Sequence, residues 1–320
     1  MILAGDVGGT HTRLALFEKG KKLQEERKFS SRSYKGLEEI VKEYLSSEKK
    51  KVSKACFGIA GPVRDGKCKA TNLPWEVDAL ELSCHLKIEK VSLLNDLEAN
   101  AHGLKMLAPE ELFLLQKGNP KQMGNRALIS AGTGLGEAGL YWDGKNHHPF
   151  ACEGGHADFA PRNEIEVELF LFLKKKFGHI SYERVVSGPG LHAIYEFLIE
   201  TGKEVGSEKT RAEMKSKDPS AVISEWGRQN KDRACSRAVD LFLSCYGAEA
   251  GNLALKLLSL GGCFIGGGIA PHLAERMRDG FVSSFADKGR FRSLLETVPI
   301  WVILNDNTAL LGAAAYGATL

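Results

Sequence analysis

Asp6 sits in a stretch whose composition is itself chemical information: Gly5-Asp6-Val7-Gly8-Gly9-Thr10-His11-Thr12-Arg13, between the apolar runs Ile2-Leu3-Ala4 and Leu14-Ala15-Leu16-Phe17. Strand, glycine-rich turn and strand read as a β-hairpin. Gly8 and Gly9 leave backbone N–H groups uncovered, and concave rows of such amides bind anions. Thr10 and Thr12 add hydroxyl donors, and Asp6, coming off the first strand, can meet a metal–phosphate complex. The segment reads as a phosphate loop built on a hairpin. It is not a Walker A loop, because no Lys follows the glycines and a strand comes next, and it is not a G-x-G-x-x-G fingerprint. Taken alone, a tight turn using glycine for positive φ accounts for it as well. A second candidate, Leu93-Leu94-Asn95-Asp96, ends an apolar strand and precedes a helix. A carboxylate at that edge of an open α/β sheet faces the ligand side, where it can take a proton from a hydroxyl nucleophile. It can equally cap the helix that begins near Leu97.

Two further glycine clusters follow apolar strands. Leu128-Ile129 leads into Ala131-Gly132-Thr133-Gly134-Leu135-Gly136 and out through Ala138-Gly139-Leu140-Tyr141-Trp142, a second hairpin. Residues 261–271 read as a buried strand, a tight turn and a helix start. Three such loops fit two half-molecules closing on one phosphate chain and its nucleoside. The elements that must carry them alternate, so the class is α/β. Candidate strands are 2–4, 13–18, 54–60, 91–94, 127–131, 137–142, 262–266 and 299–304. Candidate helices are 36–47, 78–87, 97–107, 164–177, 189–201, 233–258, 271–278 and 307–318, the last capped by Asn307. Residues 203–220, rich in Lys, Glu, Ser and Asp, read as a mobile surface excursion.

With those segments in view, the chain resembles the actin-like ATPase and sugar kinase superfamily and, within it, the bacterial-type glucokinases. The resemblance runs nearly end to end. It is carried by residues 5–13, 57–62, 71–75, 94–96, 131–136, 153–161, 183–191, 251–255, 266–271 and 287–291. The most specific segments are Glu153-Gly154-Gly155-His156-Ala157-Asp158-Phe159-Ala160-Pro161 and Ser187-Gly188-Pro189-Gly190-Leu191. His11 departs from the family, which usually has Asn there.

The resemblance implies a two-domain actin-like ATPase (ribonuclease H-like) sugar kinase fold. A small domain of 1–106 plus 302–320 and a larger one of 107–301 would flank an interdomain cleft holding the site. It implies ATP-dependent phosphorylation of glucose to glucose 6-phosphate, the first step of glycolysis, with Asp96 as the catalytic base. Asn95, Asp96, Glu153, His156 and Glu183 would bind glucose; Asp158 reads as structural. Carboxylates accept from hydroxyls and imidazole can donate or accept, which suits a sugar. Gly5, Asp6, Val7, Gly8, Gly9 and Thr10 would hold the ATP phosphates, Gly132 and Thr133 would face them, Gly267 and Gly268 would form the adenosine turn, and Asp6 would bind Mg²⁺. Arg13 and Arg162 cannot be ranked from sequence as charge stabilisers. A homodimer is also implied.

Composition excludes other classes. The 320 residues are 43% hydrophobic and 26% charged, ordinary for a soluble globular protein. A formal charge of +3 argues against nucleic acid or an anionic membrane as partner. The runs Lys49-Lys50-Lys51 and Lys174-Lys175-Lys176 read as solvated faces. No apolar stretch reaches the roughly 20 residues of a membrane span, and the first residues lack the basic start of a signal peptide. Seven scattered cysteines without a C-x-x-C pair indicate neither zinc nor a disulfide framework, so a reducing cytoplasm is expected. The alternatives are a sugar-binding regulator that kept the kinase fold, a chaperone-type ATPase, or a kinase of another hexose such as mannose or fructose. The regulator would need an added helix-turn-helix, whereas the chain opens on a strand. The chaperone would lack the 153–156 segment.

Overall fold

The structure is a computed structural model that describes residues 1–18, 21–22, 26–47 and 51–320. The chain forms two compact units, Met1–Pro109 with Asn305–Leu320, and Glu110–Leu304. Lys49 and Lys50 lie outside the described residues; Lys51 and Lys174–176 are exposed.

In the first unit the order is β1 (Ile2–Val7), β2 (His11–Glu18), β3 (Lys21–Lys22), β4 (Arg27–Ser30), α1 (Leu37–Ser46), β5 (Lys54–Ile59), β6 (Val63–Arg64), β7 (Lys67–Lys69), β8 (Glu76–Asp78), α2 (Ala79–Leu86), β9 (Lys90–Asn95) and α3 (Asp96–Gly103). The main sheet runs β3-β2-β1-β5-β9, with β4 also paired to β2. β1 is antiparallel to β2, while β1, β5 and β9 are parallel, with Val7, Ile59 and Asn95 level across them. Loops leaving β1 and β9 therefore emerge at one sheet edge.

Alternation decides which face each side chain buries. Leu3, Leu14, Leu16 and Phe57 pack with Ile40, Val41 and Tyr44 of α1. Ile2, Ala4, Ala15 and Cys56 face the other way.

The second unit holds β10 (Leu112–Gln116), β11 (Arg126–Ala131), β12 (Leu135–Trp142), β13 (His147–Cys152), α4 (Glu164–Lys176), α5 (Gly188–Glu200), α6 (Glu208–Met214), α7 (Pro219–Arg228), α8 (Arg233–Leu257), β14 (Cys263–Gly266), α9 (Ala270–Leu273), α10 (Gly280–Ala286), α11 (Arg292–Glu296) and β15 (Ile300–Ile303). Its sheet runs β10-β15-β14-β11-β12-β13. The 25-residue α8 is its spine: Asp232 caps its start, and Phe242, Cys245 and Tyr246 are fully buried on it.

The chain then returns to the first unit as α12 (Thr308–Gly317). Ala309, Leu310 and Ala313 cover Ala4, Ala15 and Cys56. Small residues let α12 and α3 cross backbone to backbone. A Cβ on Gly103 would lie 2.1 Å from Thr308 O, and one on Gly312 would lie 1.7 Å from Ala99 O.

Several expectations need correction. Residues 203–220 are not a loose excursion: they contain α6 and the start of α7, and buried Thr210 donates to Asp232 Oδ2 at 2.7 Å. The polar composition marked caps and helix surface rather than mobility. Asn307 does not cap α12 with its side chain; its Oδ1 instead accepts from Arg13 Nη1 at 3.1 Å. The expected helix 97–107 ends at Gly103 and continues as a 3₁₀ turn over Leu104–Met106. The expected helix 271–278 is α9 followed by a 3₁₀ turn over Ala274–Arg278. Among the described residues, no helix is long and apolar enough to cross a membrane.

Candidate active site

The turn between β1 and β2 is closed by Gly8 N–H donating to His11 O at 3.0 Å. Ser31 buttresses it: its Oγ donates to Gly8 O at 2.7 Å, and its N–H donates to Thr10 O at 3.0 Å. Gly9 presses against Asn72, where a Cβ would come within 2.6 Å of the Asn72 Cβ. Thr10 is exposed, as expected of a donor to a ligand. Thr12 is not available for that role, because it is buried and its hydroxyl pairs with Ser31 Oγ at 3.0 Å.

Gly5, Asp6 and Val7 are strand residues of β1, and Asp6 lies opposite Arg13 in the ladder. Burial pushes the Asp6 carboxyl up to about 6, against the pull of Arg13. Arg13 itself is tied to Asp306, by Nη2 to Oδ2 at 2.9 Å and Nη1 to the carbonyl at 2.7 Å. Arg162 is likewise committed, to Glu166 and to Ser244 Oγ at 2.7 Å. Both arginines therefore have structural partners.

At the end of β9 the roles of neighbours separate. Asn95 is the N-cap of α3: Oδ1 accepts from Leu97 N at 2.9 Å and Glu98 N at 3.4 Å, while Nδ2 donates to Gly61 O at 3.1 Å. Asp96 is the first helical residue, and its Oδ1 accepts from Leu97 N at 3.0 Å. The capping role weighed for Asp96 thus falls to Asn95. Gly58 on β5 gives the room, since a Cβ there would meet Ala99 Cβ at 2.7 Å.

In the second unit three turns converge on Leu135. The β11–β12 turn is closed by Gly132 N–H to Gly134 O at 2.9 Å, and Gly132 O accepts from Gly188 N at 2.8 Å. Glu183, in a 3₁₀ turn over Tyr182–Arg184, accepts from Leu135 N at 2.9 Å through Oε2. The 153–156 segment is a 3₁₀ turn over Gly154–His156, with Gly155 pressed against the Leu135 carbonyl: a Cβ would lie 2.0 Å from that oxygen. Tyr182 N–H donates to Ala157 O at 3.0 Å, and His179 Nε2 bonds His156 O at 3.1 Å. Glu153 and His156 are exposed and Glu183 is half-buried. Glu153, His156 and Glu183 thus lie together beside Gly132 and Thr133. Asp158 forms a backbone bridge with Ser181 while its side chain is exposed.

Gly267 follows β14 at φ 83°, a left-handed conformation that suits glycine, and packs on Ala131, whose O would be 2.1 Å from a Cβ. Gly268 has open space around it. Buried Tyr246 joins these loops. Its Oη accepts from Ala131 N at 3.1 Å and lies 3.3 Å from Ile129 O and 3.5 Å from Gly266 O.

A family model described as Glucokinase matches residues 3–320. The chain belongs to the glucokinase family. It is 41% identical to the glucokinase of Nostoc punctiforme (strain ATCC 29133 / PCC 73102), over 100% of this chain and 99% of that one. It is 41% identical to the glucokinase of Synechocystis sp. (strain ATCC 27184 / PCC 6803 / Kazusa), over 99% and 97%. The crystal structure of a glucokinase from an Antarctic psychrotroph superposes with a TM-score of 0.85 at 29% identity, covering 100% of this chain and 99% of that one. A Balamuthia mandrillaris glucokinase in complex with glucose shares the fold, with a TM-score of 0.84 at 22% identity.

Sequence reasoning missed Ser31, Gly61 and Tyr246. No local motif marks Ser31, and no role was read from Gly61 within the 57–62 segment; Ser244 and Tyr246 are the hydroxyls of the otherwise apolar stretch 241–248. Among the described residues, no group of three or more His, Cys, Asp and Glu could hold a metal. A single carboxylate such as Asp6 fits a cation that arrives with phosphate oxygens and its own waters.

Proposed function

We infer that the chain catalyses ATP-dependent phosphorylation of glucose at its 6-hydroxyl, giving glucose 6-phosphate. The observation that carries the site assignment is the convergence of the Glu153, His156 and Glu183 turns on Leu135, next to Gly132 and Thr133. The carboxylates accept from sugar hydroxyls, and the imidazole donates or accepts. An analogue missing a hydroxyl leaves such groups unpaired, which is the physical source of hexose selectivity.

Asp96 takes the 6-hydroxyl proton as the oxygen attacks the γ-phosphorus, and the Leu97 N–H bond fixes the carboxylate's orientation. Asn95 Oδ1 accepts from Leu97 N and Glu98 N and one Nδ2 hydrogen goes to Gly61 O, so its contribution to sugar binding comes through the second Nδ2 hydrogen, donated to a hydroxyl oxygen. The amides of Gly8, Gly9 and Thr10, with Gly132 and Thr133, cradle phosphate; Gly267 and Gly268 receive the adenosine. Asp6 would hold Mg²⁺, which supplies charge neutralisation on the phosphates. Burial raises the Asp6 carboxyl to about 6 against the pull of Arg13, and a bound cation would offset that burial. A cytoplasmic location is supported by seven free cysteines, and a homodimer belongs to the same family-based reading.

The test is a coupled assay of glucose phosphorylation on the parent and on Asp96→Asn, with glucose binding measured separately. Turnover should fall by about 10²–10⁴ while glucose still binds. Near-parent kcat in the variant would overturn the assignment of the base.

A further inference from the structure

Beneath the Gly154–His156 turn lies a buried carboxyl that the reaction does not use. Glu137, third residue of β12, is 1% exposed, and Glu249 on α8 is 0% exposed. The two carboxyls are close enough for the side chain and charge of Glu249 to act on Glu137. Glu137 Oε1 is buried with no hydrogen-bond partner, and Glu249 Oε1 has only the ion-pair contact with Lys256. Two acceptors cannot satisfy one another, but a carboxyl and a carboxylate can.

The surroundings decide which of the two keeps the negative charge. Glu249 Oε2 accepts from Asn252 Nδ2 at 2.8 Å, and its Oε1 is 3.5 Å from Lys256 Nζ. Lys256 also acts on Glu137, but its ammonium is in contact with Glu249. Burial and the Glu249 charge push its carboxyl well above the ordinary carboxylate range.

This pair touches both sugar-side turns. A Cβ on Gly154 would lie 1.9 Å from Glu137 Oε2, so the carboxyl packs directly under that glycine. Asn252, held by Glu249, also donates to Tyr182 Oη at 3.0 Å, one residue from Glu183, and Lys288 Nζ donates to Asn252 Oδ1 at 2.7 Å.

We propose that Glu137 and Glu249, sharing one proton, form the floor that fixes the 153–156 turn, and that Glu137 is a positioning residue for glucose. The proton lies between Glu137 Oε1 and Glu249 Oε1; Glu137 donates it and Glu249 carries the charge. The inference rests on the reading that Glu153 and His156 bind the sugar. Losing the shared proton would put two charges side by side in the core and push the turn upward. The other titratable groups facing Glu137 are Lys256 and Tyr246 from α8, Cys152 from β13 and Cys263 from β14. Burial raises both thiols and the phenol, so Glu137 is the acid that gives up its proton first.

The experiment compares parent, Glu137→Gln, Glu137→Ala and Glu153→Gln, measuring KM for glucose, KM for ATP and kcat from about pH 6 to about pH 10. Glu137→Gln donates an amide hydrogen to Glu249 at every pH, so its glucose KM should match the parent's near neutrality and stay flat as pH rises, while the parent's climbs. Glu137→Ala should raise glucose KM about fivefold to tenfold, as for one lost hydrogen bond, with ATP KM unchanged. A purely structural role would lower melting temperature and active fraction without this split. If Glu137→Ala fails to fold, the parent-against-Gln pH profile decides alone. Identical alkaline profiles for parent and Glu137→Gln, or an unchanged glucose KM in Glu137→Ala, overturn the proposal. An unchanged glucose KM in Glu153→Gln overturns instead the sugar-site reading beneath it.

Discussion

Gly312→Ala would test whether the crossing of α12 over α3 sets the position of the base. The added Cβ would sit 1.7 Å from Ala99 O and 2.7 Å from Gly103 N, so the helices must part by about 1.7 Å to restore the 3.4 Å of ordinary contact. A gap of even ~0.5–1 Å forfeits a quarter to a half of the dispersion attraction between facing atoms, and overpacking of this kind costs ~1–3 kcal/mol. Alanine's better helix propensity returns at most ~1 kcal/mol. The net loss of about 1 kcal/mol should lower the melting temperature by about 2–4 °C. Ala99 is three residues from Asp96, so the displacement also reaches the carboxylate, and a misplacement of about 1 Å can cost ~10²-fold in rate. Gly280→Ala is the control, because nothing lies within 4 Å of a Cβ there. Thermal unfolding followed by circular dichroism, with kcat in the same buffer, reads both effects. A Gly312→Ala protein as stable as the parent, or more stable as propensity alone would make it, refutes the reasoning.

Arg162→Met would strip the cation from Glu166, whose side chain is 0% exposed; urea titration should show a loss of about 3 kcal/mol. Tyr246→Phe would leave Ala131 N–H buried without its acceptor. It should cost ~1–3 kcal/mol and raise KM for ATP while leaving KM for glucose in place. His102 is pushed down to about 4 by burial, with Lys105 adding to the effect. The unfolded chain therefore binds more protons than the folded one from about pH 6.5 down to about 4, and stability should decline through that window as pH falls. Denaturant midpoints near both limits, compared with His102→Gln, check it; a parent midpoint no more pH-dependent than the variant's sinks it.

Legibility in the sequence followed locality. The two glycine hairpins and the strand ending at Asn95 were readable because an apolar run followed by glycine or a polar cap is written in adjacent residues. The sheet edge shared by Val7 and Asn95 was not, since parallel pairing through β5 leaves no short-range trace. Asn307 looked like a cap because its type and place were right, yet Arg13, nearly the whole chain away in sequence, took its carbonyl oxygen. Thr12 looked like a donor because the turn was counted two residues too long; strand alternation turns it inward to Ser31. Residues 203–220 misled through composition, since Ser207 and Asp218 are polar as helix caps. Glu183 carried no local signal at all: its bond to Leu135 N joins residues 48 apart. Glu137 was visible as an acid in an apolar strand, but its meaning depended on Glu249, which only the packing of α8 supplies.

The return of α12 to the first unit fixes an order of events during synthesis. Ala309, Leu310 and Ala313 cover a sheet face built from Ile2, Ala4, Ala15 and Cys56, yet they leave the ribosome only after Glu110–Leu304. At ~5–20 residues per second, roughly 10–40 s separate residue 110 from residue 310. The contiguous segment Glu110–Leu304 can complete its core in that interval, while β1, β2 and β5 wait with an apolar face open to water. The unit begun before Glu110–Leu304 is thus finished after it, and its sheet face is what a nascent-chain chaperone would find uncovered.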